Sequence, residues 1–162
     1  RLREYIYFFM RRNLFLIPLF ISSWILNSGF LFKPNIKVLT CGDNDYLSNI
    51  SRMNEREILN DYPWIFDSNS GQIYAFDQYK NTLKPVDREI IDGIEYVYTN
   101  IFVRDGVVYI DSLDRDLETN DTIFTTTWLD VENLKVTFIS MDGTSESSCK
   151  EIKLPKDIKI LK

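Results

Sequence analysis

The chain has 162 residues, with Lys+Arg 19 against Asp+Glu 24, a formal net charge of −5 and no histidine. The missing histidine excludes the common catalytic triads, histidine-ligated zinc, haem on a proximal histidine and a histidine switch near neutral pH. Residues 1–33 hold five of the cations and one of the acids, so the rest carries 14 Lys plus Arg against 23 Asp plus Glu, a net −9. Such a surface repels phosphate backbones, which argues against nucleic-acid partners and against a broad dock onto anionic lipid.

The first element is apolar. From Leu14 to Leu26 only Pro18, Ser22 and Ser23 interrupt the run, and Phe30, Leu31 and Phe32 extend it. About 20 such residues in a helix cover a hydrocarbon layer of roughly 30 Å, so 13–32 is expected to be a transmembrane helix in contact with the lipid bilayer. Arg1, Arg3, Arg11 and Arg12 precede it and Lys33 and Lys37 follow it. This asymmetry keeps 1–12 cytoplasmic and puts 33–162 on the lumenal or extracellular side of a secretory-pathway membrane. A cleaved signal peptide and a buried core helix are the alternatives. Ser23 and Asn27 lie one helical turn apart, where a helix of another membrane subunit could meet them. The chain opens on Arg1 and not on Met, which leaves room for its being a fragment.

Beyond the span, the fold class expected is mainly β, with one short helix. Residues 36–40 read as extended, Cys41-Gly42-Asp43-Asn44-Asp45 as a turn, and 51–60 as the helix, ended by Tyr62-Pro63. Short strands follow at Trp64-Ile65-Phe66 and 72–79, separated by the turn Asp67-Ser68-Asn69-Ser70-Gly71. The strongest signal is Asp105-Gly106 between 94–103 and 107–112, because a two-residue hairpin turn needs positive φ at both positions. That turn predicts Val103 opposite Val108, Phe102 opposite Tyr109 and Ile101 opposite Ile110. Strict alternation then puts Val97, Ile101, Val103, Val108 and Ile110 on one face and Tyr96, Tyr98, Phe102 and Tyr109 on the other. A strand pair apolar on both faces is expected to be central and covered on both. The functional alternative is that the tyrosine face lines a groove where rings stack on a sugar or a peptide. A strand at 122–129 and a second hairpin around Asp142-Gly143 complete the sheet, and the lysine-spaced 150–162 reads as a solvated edge or tail.

Three kinds of residue could carry chemistry: paired cysteines, sequon asparagines and paired aspartates. Cys41 and Cys149 are candidates for a disulfide closing a loop of about 100 residues, the alternative being two unrelated thiols. Asn49-Ile50-Ser51 and Asn120-Asp121-Thr122 fit the N-glycosylation pattern. Asp114-Arg115-Asp116, within the acidic group Asp111, Asp114, Asp116, Glu118 and Asp121, has the Asp-x-Asp form in which paired carboxylates hold a divalent cation against a diphosphate. Asp43-Asn44-Asp45 is a second instance, and a solvated loop is the ordinary explanation of both. No other cofactor is implied, and neither a glycine-rich phosphate cradle nor a calcium loop occurs.

A basic amino end, a single span, two sequons and a β-rich remainder resemble the front end of a type II Golgi glycosyltransferase. More narrowly, Tyr98-Thr99-Asn100-Ile101-Phe102-Val103-Arg104-Asp105-Gly106-Val107-Val108-Tyr109-Ile110 is similar to a strand-turn-strand pattern ahead of the catalytic core in family 61 glycosyltransferases. The resemblance implies an anchor and membrane-proximal region of such a transferase, and carries over no catalytic residue. The alternative function is a non-catalytic single-pass subunit or scaffold of a larger membrane complex.

Overall fold

The computed structural model describes residues 33–162; the expected 1–12 segment and the 13–32 span lie outside the described residues. Among those described, no helix is long and apolar enough to cross a membrane. Residues Pro34–Lys162 form one unit, mainly β.

The described residues begin with β1 (Ile36–Gly42), α1 (Asn44–Ile50) and α2 (Glu55–Leu59). The single helix expected at 51–60, after a turn at 41–45, is therefore corrected to two. Asp43 accepts from the Tyr46 N–H and starts α1, while Asn54 forms a capping box with Glu57 and starts α2. Each cap satisfies donors that a helix start leaves unpaired, so the chain breaks where the cap residues fall. Then come β2 (Trp64–Asp67), β3 (Tyr74–Asp77) and β4 (Thr82–Pro85). β5 (Arg88–Ile91), β6 (Ile94–Arg104), β7 (Val107–Asp116), β8 (Thr122–Asp130), β9 (Lys135–Ser140) and β10 (Gly143–Glu151) form a run of antiparallel neighbours.

The larger sheet is curled and has the order β2-β1-β10-β9-β8-β7-β6-β5. Two tight turns fix its far end. Asp105 and Gly106 have φ of 51° and 77°, and Asp92 and Gly93 have 50° and 83°, so each pair fits the two-residue hairpin geometry that joins β6 to β7 and β5 to β6. The smaller sheet has the order β11-β4-β3, with the terminal β11 (Lys159–Ile160) parallel to β4.

β1 has a core on each side. Val38 belongs to a cluster with Ile50 and Leu59 from the helices, Leu83 from the small sheet, and Ile152 and Ile158. Its neighbour Leu39 belongs to a second cluster on the inner face of the curled sheet, with Phe66, Ile73, Val108, Ile110, Leu129 and Val136. The tail expected to be solvated at 150–162 is thus corrected: Ile152 and Ile158 are core residues, and Leu161 N–H donates to the Leu83 carbonyl. Cys41 and Cys149, directly opposite each other in β1 and β10, form a disulfide across a separation of 108 residues. Removing that much loop entropy from the unfolded chain stabilises the fold by up to about 5 kcal/mol.

The 67–71 turn closes the curl. Asp67 accepts from the Asn69 N–H, the Ser70 hydroxyl and the Asn35 N–H, which draws the turn inward. Gly71 then sits at φ 79°, where a Cβ would lie 2.6 Å from Cγ2 of Ile101 on β6. Gly93 has a similar φ of 83° and open space around it. Gly93→Ala is therefore expected to cost only the left-handed backbone term of about 1 kcal/mol, and Gly71→Ala about 2–4 kcal/mol because overlap with Ile101 is added. Urea unfolding of the two variants checks this; equal losses would mean that the 67–71 turn is not seated on β6.

Candidate functional site

The face assignment of the sheet's far half turns on one residue. β6 and β7 pair in steady register from Ile94↔Asp116 to Tyr98↔Ser112, then shift so that Asn100 faces Asp111, leaving Thr99 as a bulge. Beyond it Ile101, Phe102 and Val103 face Ile110, Tyr109 and Val108 as the turn predicts. A bulge reverses the alternation of side chains. Tyr96 and Tyr98 consequently share the inner face with Ile101, Val103, Val108 and Ile110, while Val97, Phe102 and Tyr109 lie on the outer face. The tyrosine face expected from strict alternation is corrected in this way.

The expectation that both faces are covered is corrected as well. On the outer face, Phe102, Tyr109, Trp128, Thr137 and Glu146 are register partners across five strands. Phe102 and Tyr109 stack with centroids 4.8 Å apart and planes within 7°, and Trp128 meets Tyr109 edge-on at 5.7 Å. Phe102 is 44% exposed and Trp128 39%. Beside this aromatic row is a cleft of about 420 Å³, lined by Tyr109, Trp128, Asp130, Asn133, Lys135, Thr137 and Glu146, with Val107. Asn133, through its side chain and then its backbone N–H, holds the Asp130 carboxyl below the ordinary carboxylate range. On the other side of the aromatic row Asp111 is fixed by Asn100 Nδ2 at 3.1 Å and Thr126 Oγ1 at 2.9 Å. Leu113 and Phe124 stand opposite each other further along, both exposed.

The residues singled out from the sequence are scattered. Asp111, Asp114 and Asp116 are on β7 and not in a loop. Asp114 accepts from the Ser112 hydroxyl at 2.6 Å, and Asp116 caps the following turn by accepting from the Glu118 and Thr119 N–H groups. Those backbone bonds, Thr119 first, hold the Asp116 carboxyl below the ordinary range. The two carboxylates share a strand face, but each already has a partner in its own chain. Among the described residues no group of three or more His, Cys, Asp or Glu side chains is placed to hold a metal ion. Asn49 is exposed on α1, and Asn120 is exposed at φ 70° with its Oδ1 accepting from Arg115 Nε. Trp128, Asn133 and Lys135 are not singled out by the sequence; the signal for Trp128 was the alternation of 122–129, which puts Phe124, Thr126 and Trp128 on one face, and Asn133 and Lys135 had none.

At the inner face's far end the Tyr98 hydroxyl donates to Glu89. Burial raises the Glu89 carboxyl above the ordinary glutamate range, opposed in part by that hydrogen bond. Burial, then the charge of Glu89, drives the Tyr98 hydroxyl far above its ordinary range, so it remains a donor. No family model, no curated protein and no solved structure matches this chain.

Two outcomes follow. If 33–162 is lumenal, glycosidase treatment shifts the mobility of the secreted-pathway protein, and Asn49→Gln and Asn120→Gln each remove one step; the absence of any shift would remove the sequon argument. A carboxyl whose folded pKa is raised binds more protons folded than unfolded, so its stability contribution falls as pH rises from the unfolded glutamate value through the folded one. Glu89→Gln is therefore expected to be at least as stable as wild type at pH 7 and to flatten that decline, measured by urea unfolding between pH 4 and 8. A variant less stable at pH 7 with an unchanged pH profile would show that burial of the charge costs nothing here.

Proposed function

We propose that residues 34–162 are a non-catalytic binding module that holds the face of a sugar ring on the outer sheet surface, carried at the lumenal side of a secretory-pathway membrane by the span expected at 13–32. The observation that carries the reading is the wall of exposed Trp128 and half-buried Tyr109 beside the cleft of about 420 Å³. That volume falls within the range of small-ligand sites, and an apolar wall with a few fixed polar groups is their usual make-up. The C–H face of a sugar fits an aromatic ring, while Asp130, Asn133, Lys135 and Glu146 supply both acceptors and donors for its hydroxyls. The surface is a sheet face, not an edge, so it offers no free backbone groups to an extended peptide.

The resemblance of residues 98–110 to the strand-turn-strand pattern ahead of the family 61 catalytic core supports a placement in a glycosyltransferase-like protein, where such a module would present a glycan to a catalytic region. A second reading, a scaffold subunit of a membrane complex, draws on Leu113 and Phe124, which leave apolar surface exposed next to the aromatic row. The two readings part on one experiment. On a glycan array the wild-type chain is expected to retain a discrete set of glycans. Trp128→Ala is expected to weaken them at least about tenfold, a loss of roughly 1.4 kcal/mol, with unchanged far-ultraviolet circular dichroism. Phe124→Ala leaves glycan binding unaltered. An empty array, or binding that survives Trp128→Ala, would sink the sugar reading.

A further inference from the structure

A second cleft, of about 340 Å³, is walled by the segment that follows α2, by β2, by β3 with the turn after it, and by β5. It shares no residue with the outer-face cleft. On its wall Tyr62 holds a conformation that bulky side chains avoid. Its φ is 48°, in the left-handed region, and it stands directly before Pro63, where extended backbone is the norm. Both flanks of Tyr62 are pinned: Asp61 Oδ2 accepts from the Tyr46 hydroxyl at 2.7 Å, and Trp64 is paired with Leu39 of β1. The chain turns between those two fixed points, and glycine would make the turn without the steric penalty of a Cβ. The Tyr62 side chain is nonetheless 61% exposed, so burial in the core does not offset the backbone cost.

Tyr79, on the turn from β3 to β4, is 92% exposed and gives the same wall a second free ring. The two charged side chains that line the cleft are already engaged. Asp77 accepts from Lys84 Nζ at 2.9 Å and from the Lys80 N–H at 3.1 Å, and Glu89 accepts from the Tyr98 hydroxyl. The exposed side-chain amides of Asn60 and Gln78 make no hydrogen bond to another described residue. The hydroxyl of Tyr74, a lining residue only 9% exposed, makes none either. The wall thus offers flat rings, two amides that both donate and accept, and no charge without a partner. That set matches an uncharged ligand whose hydroxyls also act in both senses. A proline-rich peptide would stack on the rings but brings few N–H groups to the amide oxygens.

We propose that this cleft is a second saccharide site, which takes an uncharged pyranose unit against Tyr62 and Tyr79 and meets its hydroxyls with Asn60 and Gln78. Its volume falls in the range of small-ligand sites. The left-handed Tyr62 has its reason there, since local strain is kept where a side chain is needed in one place. The site stands on its own residues and does not rest on the outer-face reading. Where both clefts hold a sugar, one chain grips a glycan-bearing surface at two points, which raises retention by effective concentration.

The test uses the full chain, isotope-labelled in detergent micelles, titrated with cellotetraose, maltotetraose and tetra-N-acetylchitotetraose. At least one of them is expected to shift the side-chain amide resonances of Asn60 and Gln78 and the backbone amides of Tyr62 and Tyr79, in the wild type and equally in Trp128→Ala. Tyr79→Ala is expected to weaken that binding at least about tenfold. Tyr62→Gly should weaken it as much while unfolding at no lower a urea concentration than the wild type, because glycine suits a φ of 48°. No response at those four residues to any of the three sugars, unchanged affinity in both tyrosine variants, or a less stable Tyr62→Gly would overturn the proposal. So would a capped hexaproline peptide that shifts the same resonances more strongly than the sugars do. Shifts at Trp128 with none at these four residues would sink this site and leave the outer-face reading standing; shifts here with none at Trp128 would do the reverse.

Discussion

The extra residue in β6 governs which chemistry the far half of the sheet shows to water. Upstream of Thr99 the strand sends Tyr96 and Tyr98 inward; downstream it sends Ile101 and Val103 inward and Phe102 outward. Thr99 Oγ1 donates to the Asp111 carbonyl and Asn100 Nδ2 to the Asp111 carboxylate, so the irregularity is held by its own hydrogen bonds. Without it, Phe102 would follow Tyr98 into the core and Ile101 would face solvent. The outward turn of Phe102 onto Tyr109 and the inward turn of Ile101 and Val103 follow from that one insertion, because a bulge reverses the alternation of the strand that carries it.

The remaining architecture rests on β1. Val38 and Leu39 point into different cores, so one strand carries both, and its pairing with β10 brings Cys41 opposite Cys149. The helices and the carboxyl-terminal strand cover one side; the curl of the large sheet and the 67–71 turn cover the other. This arrangement uses apolar residues at the inner faces and, among the described residues, leaves the outer face of β6 to β9 without any element over it. Exposed rings there lower solubility without helping the core, which makes them informative.

The two clefts differ in chemistry. One lies on a sheet face, with rings beside donors and acceptors, and suits a flat ligand with many hydroxyls. The other is walled by β2, β3, β5 and the segment after α2, and its Asp77 is paired with Lys84.

Much of the local structure was legible in the residues. Asp105-Gly106 specified a turn and, through it, the register Phe102 to Tyr109, and the β-branched run at 122–129 specified a strand, because such preferences act within a few residues. The absence of histidine settled a list of excluded chemistries with no structure at all. Asp92-Gly93 carried the same turn signal as Asp105-Gly106 and could have announced β5. At the carboxyl end, the lysine spacing masked an apolar series, Ile152, Leu154, Ile158 and Ile160, that packs on the first core. What only the tertiary structure decided was the phase of β6 across Thr99, the meeting of Cys41 with Cys149, and the exposure of Trp128. Each depends on which strand lies alongside which, and pairing between residues as far apart as 108 positions leaves no mark on the local pattern.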